Sequence, residues 1–321
     1  MLDWQQSCQA VTDANSILLV THRNPDGDGI GSQIGLYHAL KAAGKQVRMH
    51  NLDSVPRIYH FLEGAEKMTS GRNFPPADAI DLIVSLDCGN QHRLGLPDHL
   101  FDHVSLLNID HHASNIGFGT INLVDPHICA TGALVLELIR RLELPVSTAS
   151  ASGLYVAIMT DTGSFRHANA TADVFRMTAD LVEAGAKPWP IAMSVYESNA
   201  PGRLQLLSEC LDTMEIRDGG RSAWLHVDRD MYARTGTDME ETEGFVEYAR
   251  SIQDIEVAIF IRPDNNDSWK ASLRSKSSLD IGHLAESMGG GGHRFASGCT
   301  LHGNLSDILN QMHEAVSALF D

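Results

Sequence analysis

The chain contains few cysteines, and none of them stands in a metal-binding or disulfide pattern. Five cysteines are scattered through 321 residues, an odd number without a CxxC pair. This argues against a disulfide scaffold and against a thiolate zinc site. Each cysteine is therefore expected to be a small buried hydrophobic residue, and a reducing cytoplasm is the expected localisation.

Long apolar runs and an excess of positive charge are also missing. No run approaches the length of a membrane span, and the N-terminus lacks the basic start and apolar core of a signal peptide. Lysine and arginine number 24 against 41 acidic residues, which gives a net charge of −17. A protein that grips long nucleic acid nonspecifically needs a basic surface. The expected partners are therefore small anions, and neither a membrane nor long nucleic acid is expected.

What remains is an ordinary globular composition, with 43% apolar and 20% charged residues. The length favours two domains. A proline-rich segment around Pro188 interrupts the pattern of helices and strands, and the rhythm differs after it. We therefore predict a first domain at 1–186, a linker at 187–202 and a second domain at 203–321.

The most unusual stretch is a polar turn, THRNPDGDGIGS, that begins at Thr21. An apolar strand at 16–20 precedes it, and an amphipathic helix is predicted from Ser32 to Lys45. In open α/β sheets, ligands bind outside the carboxyl ends of strands. The turn supplies one imidazole and two carboxylates, which suit a divalent first-row metal. These residues are His22, Asp26 and Asp28.

The spacing within this turn has two interpretations. If the segment between Asp26 and Asp28 is extended, their side chains point in opposite directions and could serve different ions. The glycines at 27, 29 and 31 would let the backbone turn tightly. The alternative is an ordinary acidic turn in which the aspartates cap the following helix.

Two further apolar runs end in similar residues. The run from Ala79 to Leu86 is typical of a strand buried on both faces, and Asp87 follows it. The run from Val104 to Ile109 is of the same kind. Three residues follow that second run directly: Asp110, His111 and His112. A lone aspartate after a strand is usually a turn or a cap, but three parallel strands would bring these groups together at one sheet edge.

The second domain is predicted as a smaller α+β unit. Strands are expected near 222–227, 256–262 and 269–274, and a turn at 263–267 indicates an antiparallel hairpin. Two basic and glycine-rich segments stand out, Arg274-Ser275-Lys276 and GGGGHR from Gly289. Consecutive glycines let a backbone approach a phosphate closely, and arginine offers a bidentate fork for it. The alternative for the glycine run is a flexible loop.

These motifs, in this order, resemble those of the DHH phosphoesterase superfamily. The fourth motif of that family matches Asp161 in its Thr-Asp-Thr-Gly setting. The segments at 274–276 and 289–301 look like the DHH-associated C-terminal domain. The resemblance covers nearly the whole chain and is to oligoribonucleases of the NrnA type, which also dephosphorylate 3′-phosphoadenosine 5′-phosphate (pAp). It implies an α/β fold: a doubly wound, mainly parallel sheet, a smaller α+β domain, and an active site in the cleft between them.

The resemblance also implies a role for each motif residue. One ion would be held by His22, Asp26 and Asp87. The other would be held by Asp28, Asp87, His111 and Asp161. Two divalent ions are expected, with Mn²⁺ preferred and Mg²⁺ or Co²⁺ possible. Asp87 would bridge them, Asp110 would orient a ligand histidine, and His112 would contact the scissile phosphate. The substrate-binding residues would be Arg274, Ser275, Lys276, Gly290, Gly291, Gly292 and His293.

The function implied is two-metal hydrolysis of short RNA. A closing cleft favours oligoribonucleotides of about two to five residues or linear dinucleotides, cut to nucleoside 5′-monophosphates. Conversion of pAp to AMP is a second expected activity. The alternatives are an inorganic pyrophosphatase or polyphosphatase of the same superfamily, and a non-catalytic nucleotide sensor. A homodimer is possible for such a fold.

Overall fold

A sheet of six parallel strands forms the centre of the first unit, Met1–Ser198. The computed structural model describes residues 2–264 and 268–320. The strands are β1 (Ser16–Thr21), β2 (Gln46–Asn51), β3 (Met68–Ser70), β4 (Leu82–Leu86), β5 (Ser105–Asp110) and β6 (Ile121–Val124). Their order is β3-β2-β1-β4-β5-β6. The direction of winding reverses between β1 and β4, which is where ligands bind in doubly wound sheets.

Both faces of this sheet are buried. Along β1, Ile17 and Leu19 pack in one apolar cluster, whereas Leu18 and Val20 pack in a second cluster on the other face. The helices of the unit are α1 (Trp4–Asp13), α2 (Gly27–Ala42), α3 (Asp98–Phe101), α4 (Thr131–Arg141), α5 (Thr148–Asp161), α6 (Ala172–Glu183) and α7 (Pro188–Tyr196). The predicted doubly wound parallel sheet is therefore confirmed.

Helix α2 begins five residues earlier than predicted, at Gly27 instead of Ser32. Asp26 is its N-cap, and its side chain accepts hydrogen bonds from the backbone N–H groups of Asp28 and Gly29, both at 3.1 Å. Asp28 thus lies in the first helical turn, so an extended segment between the two aspartates is wrong. The capping role of the alternative interpretation applies to Asp26.

The glycines of this turn have a different role from the one predicted. Gly27, Gly29 and Gly31 are helical, and none has a positive φ. They are needed for close packing instead. A Cβ on Gly31 would lie 2.3 Å from the carbonyl oxygen of Gly153 in α5. The absence of side chains therefore lets α2 and α5 approach closely.

Replacing Gly31 by alanine is expected to destabilise the protein by roughly 1–3 kcal/mol, as overpacking of a core does. The atom that the new methyl group meets belongs to the backbone, which cannot rotate away. Gly35 on the same helix is the matched control, because a Cβ there would meet side-chain carbons of Leu154 at 2.5 Å. A side chain, even the buried Leu154, has rotamer freedom that a backbone carbonyl lacks, so Gly35→Ala should cost less. Equal losses in urea unfolding would contradict this account of the packing.

A mixed sheet forms the centre of the second unit, Asn199–Asp321. Its strands are β7 (Glu215–Arg217), β8 (Ser222–His226), β9 (Val257–Pro263), β10 (Ser268–Ser275), β11 (Gly291–His293) and β12 (Ala296–His302). They lie in the order β11-β12-β10-β9-β8-β7, and β8 and β9 run parallel. The helices are α8 (Pro201–Asp212), α9 (Arg229–Thr235), α10 (Phe245–Ser251), α11 (Ile281–Ser287) and α12 (Leu305–Ser317).

Helices cover both faces of this second sheet. Along β9, Ile259 joins an apolar cluster with Met312 of α12, whereas Phe260 joins another cluster with Phe245 of α10. The predicted α+β unit is confirmed, and β9 and β10 form the predicted antiparallel pair. Residues 265–267 of the predicted turn lie outside the described residues. The segment at 187–202, predicted as a linker, holds α7 and the first residues of α8.

Candidate metal centre

The ends of three adjacent strands bring the predicted groups of the first unit together. Thr21 pairs with Leu86, and Leu86 pairs with Ile109. The residues that follow these three positions are His22, Asp87 and Asp110. They therefore lie at one level of the sheet edge, at the point where the winding reverses.

Asp87 lies at the centre of this group. Its side chain is buried, and its φ of 57° is in the left-handed region, which aspartate adopts more readily than most residues. Three imidazole nitrogens surround its carboxylate. The distances are 3.4 Å to His22 Nε2, 3.6 Å to His111 Nε2 and 3.6 Å to His112 Nδ1.

Three groups of possible ligand atoms lie close together among these residues. The first consists of His22, Asp26 and Asp87, and the second of Asp28, His111 and Asp161. The third consists of Asp87, Asp110 and His112, but there His112 Nδ1 already bonds to Asp110 at 2.7 Å, so the first two groups are the open triangles. In the first, His22 Nε2 lies 3.7 Å from Asp26 Oδ2 and 3.4 Å from Asp87 Oδ2. In the second, His111 Nε2 lies 3.6 Å from both Asp28 Oδ2 and Asp161 Oδ2.

These spacings fit a pair of divalent ions. The N···O distances are longer than ordinary hydrogen bonds, yet all ligand atoms of a triangle lie within 4.8 Å of one another. A cation at about 2.1 Å from each donor would satisfy such a triangle. Carboxylate and imidazole donors suit manganese, magnesium or cobalt better than a thiolate-seeking ion.

The buried negative charges of the centre are an unfavourable arrangement without a cation. Burial raises the pKa of Asp28 well above its usual range, and the charges of Asp87 and Asp161 raise it further. Burial likewise raises the pKa of Asp161 to about 6, although His111 opposes the shift. Carboxylates that are forced together in this way are typical of sites that bind a metal ion or transfer protons.

Asp28 is held by the start of helix α4. The backbone N–H of Thr131 donates to its Oδ2 at 2.6 Å, and that of Gly132 donates to its Oδ1 at 2.9 Å. The hydroxyl of Thr131 also donates to Asp87 Oδ1 at 3.1 Å. A helix N-terminus favours negative charge, so α4 fixes both carboxylates in place. Neither Thr131 nor Gly132 is among the residues predicted from the sequence.

Asp110 bonds to His112, which is not one of the predicted metal-ligand histidines. Asp110 is fully buried, and its Oδ1 lies 2.7 Å from His112 Nδ1. Asn115, which is also absent from the predicted residues, donates from Nδ2 to Asp110 Oδ2 at 2.5 Å. Burial lowers the pKa of His112, but Asp110 and the charge of Asp87 together outweigh burial and raise it to about 9. The imidazole is therefore protonated at neutral pH and can donate to a phosphate oxygen.

His22 also has a partner outside the triangle. Its Nδ1 bonds to the carbonyl oxygen of Arg23 at 2.8 Å, which leaves Nε2 directed at the carboxylates. Arg93 brings a guanidinium nitrogen to 3.2 Å from the same Nδ1. Burial lowers the pKa of His22, but Asp26 and Asp87 outweigh burial and raise it to about 10. The position of Arg93 near His22 could not be predicted from the sequence. Arg93 lies in a short 3₁₀ helix after β4 and belongs to none of the sequence motifs.

The predicted substrate-binding residues of the second unit are brought together at one end of its sheet. Arg274 pairs with Ala296 across β10 and β12, and His293 pairs with Ala296 across β11 and β12. Gly291 and Gly292 belong to β11, so the glycine run is partly a strand and not only a loop. The remaining glycine of the predicted set, Gly290, packs against β12, where a Cβ would meet the carbonyl oxygen of Gly298 at 2.2 Å.

The basic side chains of this segment already have partners within the second unit. Arg274 donates from Nε to Glu247 at 2.9 Å. Lys276 donates to the carbonyl oxygen of Ile252 at 2.6 Å. Ser275 is buried. Any anion that approached Arg274 would therefore have to compete with Glu247.

The metal-free protein is expected to lose stability as the pH rises from about 4 to about 6. Asp161 has an ordinary pKa of 3.8 and a folded pKa of about 6. Its neutral form thus stabilises the fold below pH 3.8, and this contribution is lost as the pH rises through 6. Bound cations should remove the loss. Thermal unfolding in EDTA and in Mn²⁺ tests this prediction. In EDTA, the unfolding temperature of Asp161→Asn should depend less on pH than that of the wild type. The same pH dependence of the wild type in EDTA and in Mn²⁺ would contradict the prediction.

Comparison with known proteins agrees with this arrangement. A model described as "DHH family, N-terminal domain" matches residues 16–158, and a "DHHA1 domain" model matches residues 229–318. The chain is 34% identical over 302 residues to the bifunctional oligoribonuclease and PAP phosphatase NrnA of Thermus thermophilus, covering 94% of this chain and 89% of the relative. It is 24% identical to the Bacillus subtilis NrnA, covering 90% of each.

A solved structure supports the fold over the whole length. The crystal structure of an exopolyphosphatase-related protein from Bacteroides fragilis superposes with a TM-score of 0.89 at 26% identity. It covers 99% of this chain and 97% of that protein. Among the described residues, no helix combines the length and the apolar character needed to cross a membrane.

Proposed function

The chain belongs to the DHH family, and on this premise we propose that it is a metal-dependent phosphoesterase that hydrolyses short oligoribonucleotides and linear dinucleotides to nucleoside 5′-monophosphates, and pAp to AMP. The observation that carries the proposal is the joint match of both domains to NrnA relatives, at up to 34% identity over 94% of the chain. The cluster of His22, Asp26, Asp28, Asp87, His111 and Asp161 supports it.

The residues of the two triangles would hold two divalent ions, manganese by preference, with Asp87 between them. Two such ions activate water for attack on phosphorus and neutralise charge on the scissile phosphate. The chain supplies the rest. His112, protonated and held by Asp110, donates to a phosphate oxygen or to the leaving oxygen. Asn115 keeps Asp110 in position, and α4 keeps Asp28 in position.

The second unit would hold the part of the substrate that does not react. Replacing Arg274 by glutamine should raise KM with little change in kcat, because uniform binding is lost. Glu247→Gln should have the opposite effect on KM, because it removes the carboxylate that competes with the substrate for Arg274. Steady-state kinetics on a diribonucleotide measures both. An unchanged KM in Arg274→Gln would show that this arginine does not bind the substrate.

The alternative of a pyrophosphatase or polyphosphatase is favoured by one observation: the Bacteroides fragilis protein that superposes on this chain is exopolyphosphatase-related. A side-by-side assay with manganese separates the two functions. The substrates are a 5′-phosphorylated diribonucleotide, pAp, pyrophosphate and polyphosphate. Turnover of the first, with or without the second, supports the proposal, and turnover of the inorganic substrates alone would overturn it.

We further propose that the reaction takes place in the cytoplasm. Short RNA or small nucleotides would be the partners, and a homodimer is the assembly to test. The state of the cysteines supports the cytoplasmic location. None of the five cysteines, all of which lie among the described residues, is paired in a disulfide. Structural disulfides are typical of oxidising compartments instead.

A further inference from the structure

The hairpin of β11 and β12 ends in an exposed aromatic side chain. His293 pairs with Ala296, so Arg294 and Phe295 form a two-residue turn between the strands. Half of the surface of Phe295 is exposed (50%), and the guanidinium of Arg294 lies 5.5 Å over its ring centroid. Turns of this length favour asparagine and glycine. The fold therefore does not require a phenylalanine at this position.

The backbone of this turn is fixed on both sides. The carbonyl oxygen of Phe295 accepts from the N–H of Ser275 at 3.0 Å, and that of Arg294 accepts from the N–H of Ile281 at 3.1 Å. Arg294 also donates from its guanidinium to the carbonyl oxygen of Ser278 at 2.7 Å. The ring belongs to none of the apolar clusters formed by the described residues. The turn thus presents an aromatic surface on a rigid support, which lowers the entropic cost of binding.

The surroundings of the ring are suited to a nucleotide. The turn directly follows the glycine segment, and Arg274 lies across from Ala296, the residue after Phe295. An aromatic face next to cations is the combination that binds single nucleotides, since the ring stacks on the base and the cations contact phosphate. Pyrophosphate has no base to stack on the ring, so a pyrophosphatase would not need the aromatic surface.

We infer that Phe295 stacks on a nucleobase of the substrate and that Arg294, packed on the ring, holds it in the stacking orientation. The inference rests on the proposed function, because it assigns the surface of the second unit that would hold the base of the substrate. It makes the base, and not only the phosphate, a determinant of affinity. Every nucleobase has a flat face, so the contact would favour nucleotides in general over inorganic phosphates.

Calorimetric titration of the full chain in manganese buffer tests the inference without relying on turnover. The ligands are AMP and ribose 5-phosphate, which differ only in the base. The wild type should bind AMP more tightly. Phe295→Leu should weaken AMP binding about five- to tenfold and leave ribose 5-phosphate unchanged, whereas Phe295→Trp should keep the preference. Phe61→Leu, at a phenylalanine of similar exposure (40%) in the first unit, is the control and should behave as the wild type.

Two results would overturn the inference. One is that Phe295→Leu binds AMP as tightly as the wild type. The other is that it loses AMP and ribose 5-phosphate equally, which would indicate a structural role. The hydrolysis assay keeps this test separate from the proposed function. If the wild type is active and Phe295→Leu binds AMP normally, only the stacking contact is refuted. If binding depends on the base but no substrate is turned over, the stacking contact stands and the proposed enzymatic function is refuted.

Discussion

Replacing Asp87 by asparagine is expected to abolish hydrolysis, with kcat reduced by at least about a thousandfold. Asp87 is the carboxylate that both His22 and His111 approach, at 3.4 and 3.6 Å. Its neutral replacement has nearly the same shape but cannot supply a negative charge to two cations. The variant should also bind fewer than two manganese ions per chain, as measured by mass spectrometry after gel filtration.

Asp125→Asn is the matched control for this prediction. Asp125 also follows a strand of the same sheet, β6, but its side chain accepts from the backbone N–H of His127. The control should keep wild-type turnover and metal content. Circular dichroism must show that both variants are folded. Near-normal activity of a folded Asp87→Asn protein in manganese would refute the role of Asp87.

Replacing His112 by glutamine is expected to lower kcat about 10²- to 10⁴-fold while both metal ions remain bound. In the proposed function, His112 would act on the phosphate and not on the ions. Its Nδ1 is engaged by Asp110 at 2.7 Å, which holds the ring in place and its pKa at about 9. His127→Gln, at an exposed histidine of the same unit, should have no effect.

Asp110→Asn gives this prediction a readout that a purely structural role would not produce. Asp110 raises the pKa of His112, so its neutralisation lowers that pKa. The protonated imidazole would then be lost at a lower pH, and the alkaline limb of the kcat profile should move to lower pH. An unshifted limb, or loss of manganese in His112→Gln, would contradict the assignment of a proton donor.

The position of the metal centre could be predicted from sequence because it follows from simple rules. The runs that end at Leu86 and Ile109 are apolar throughout, which is typical of strands buried on both faces. Parallel strands share an edge at their carboxyl ends, so Asp87 and His111 had to lie close together. The ligand types then indicated a divalent ion.

Other features carried no signal in the sequence. Helix α2 starts earlier than the sequence predicts, because glycine is a poor helix former and tertiary packing against α5 overrides that preference. The donors of Thr131 and Gly132 to Asp28 are backbone N–H groups from residues that are more than 100 positions away. Backbone groups have no sequence signature. The bond of Asp110 to His112 depends on the geometry of the residues after β5.

Anomalous diffraction from crystals grown with Mn²⁺ tests the central claim most directly. Two strong peaks are expected in each chain. One should be bound by His22, Asp26 and Asp87, and the other by Asp28, Asp87, His111 and Asp161, with metal–ligand distances of about 2.1–2.3 Å. The absence of peaks at these residues, or a single ion that leaves one triangle empty at saturating manganese, would contradict the two-metal phosphoesterase.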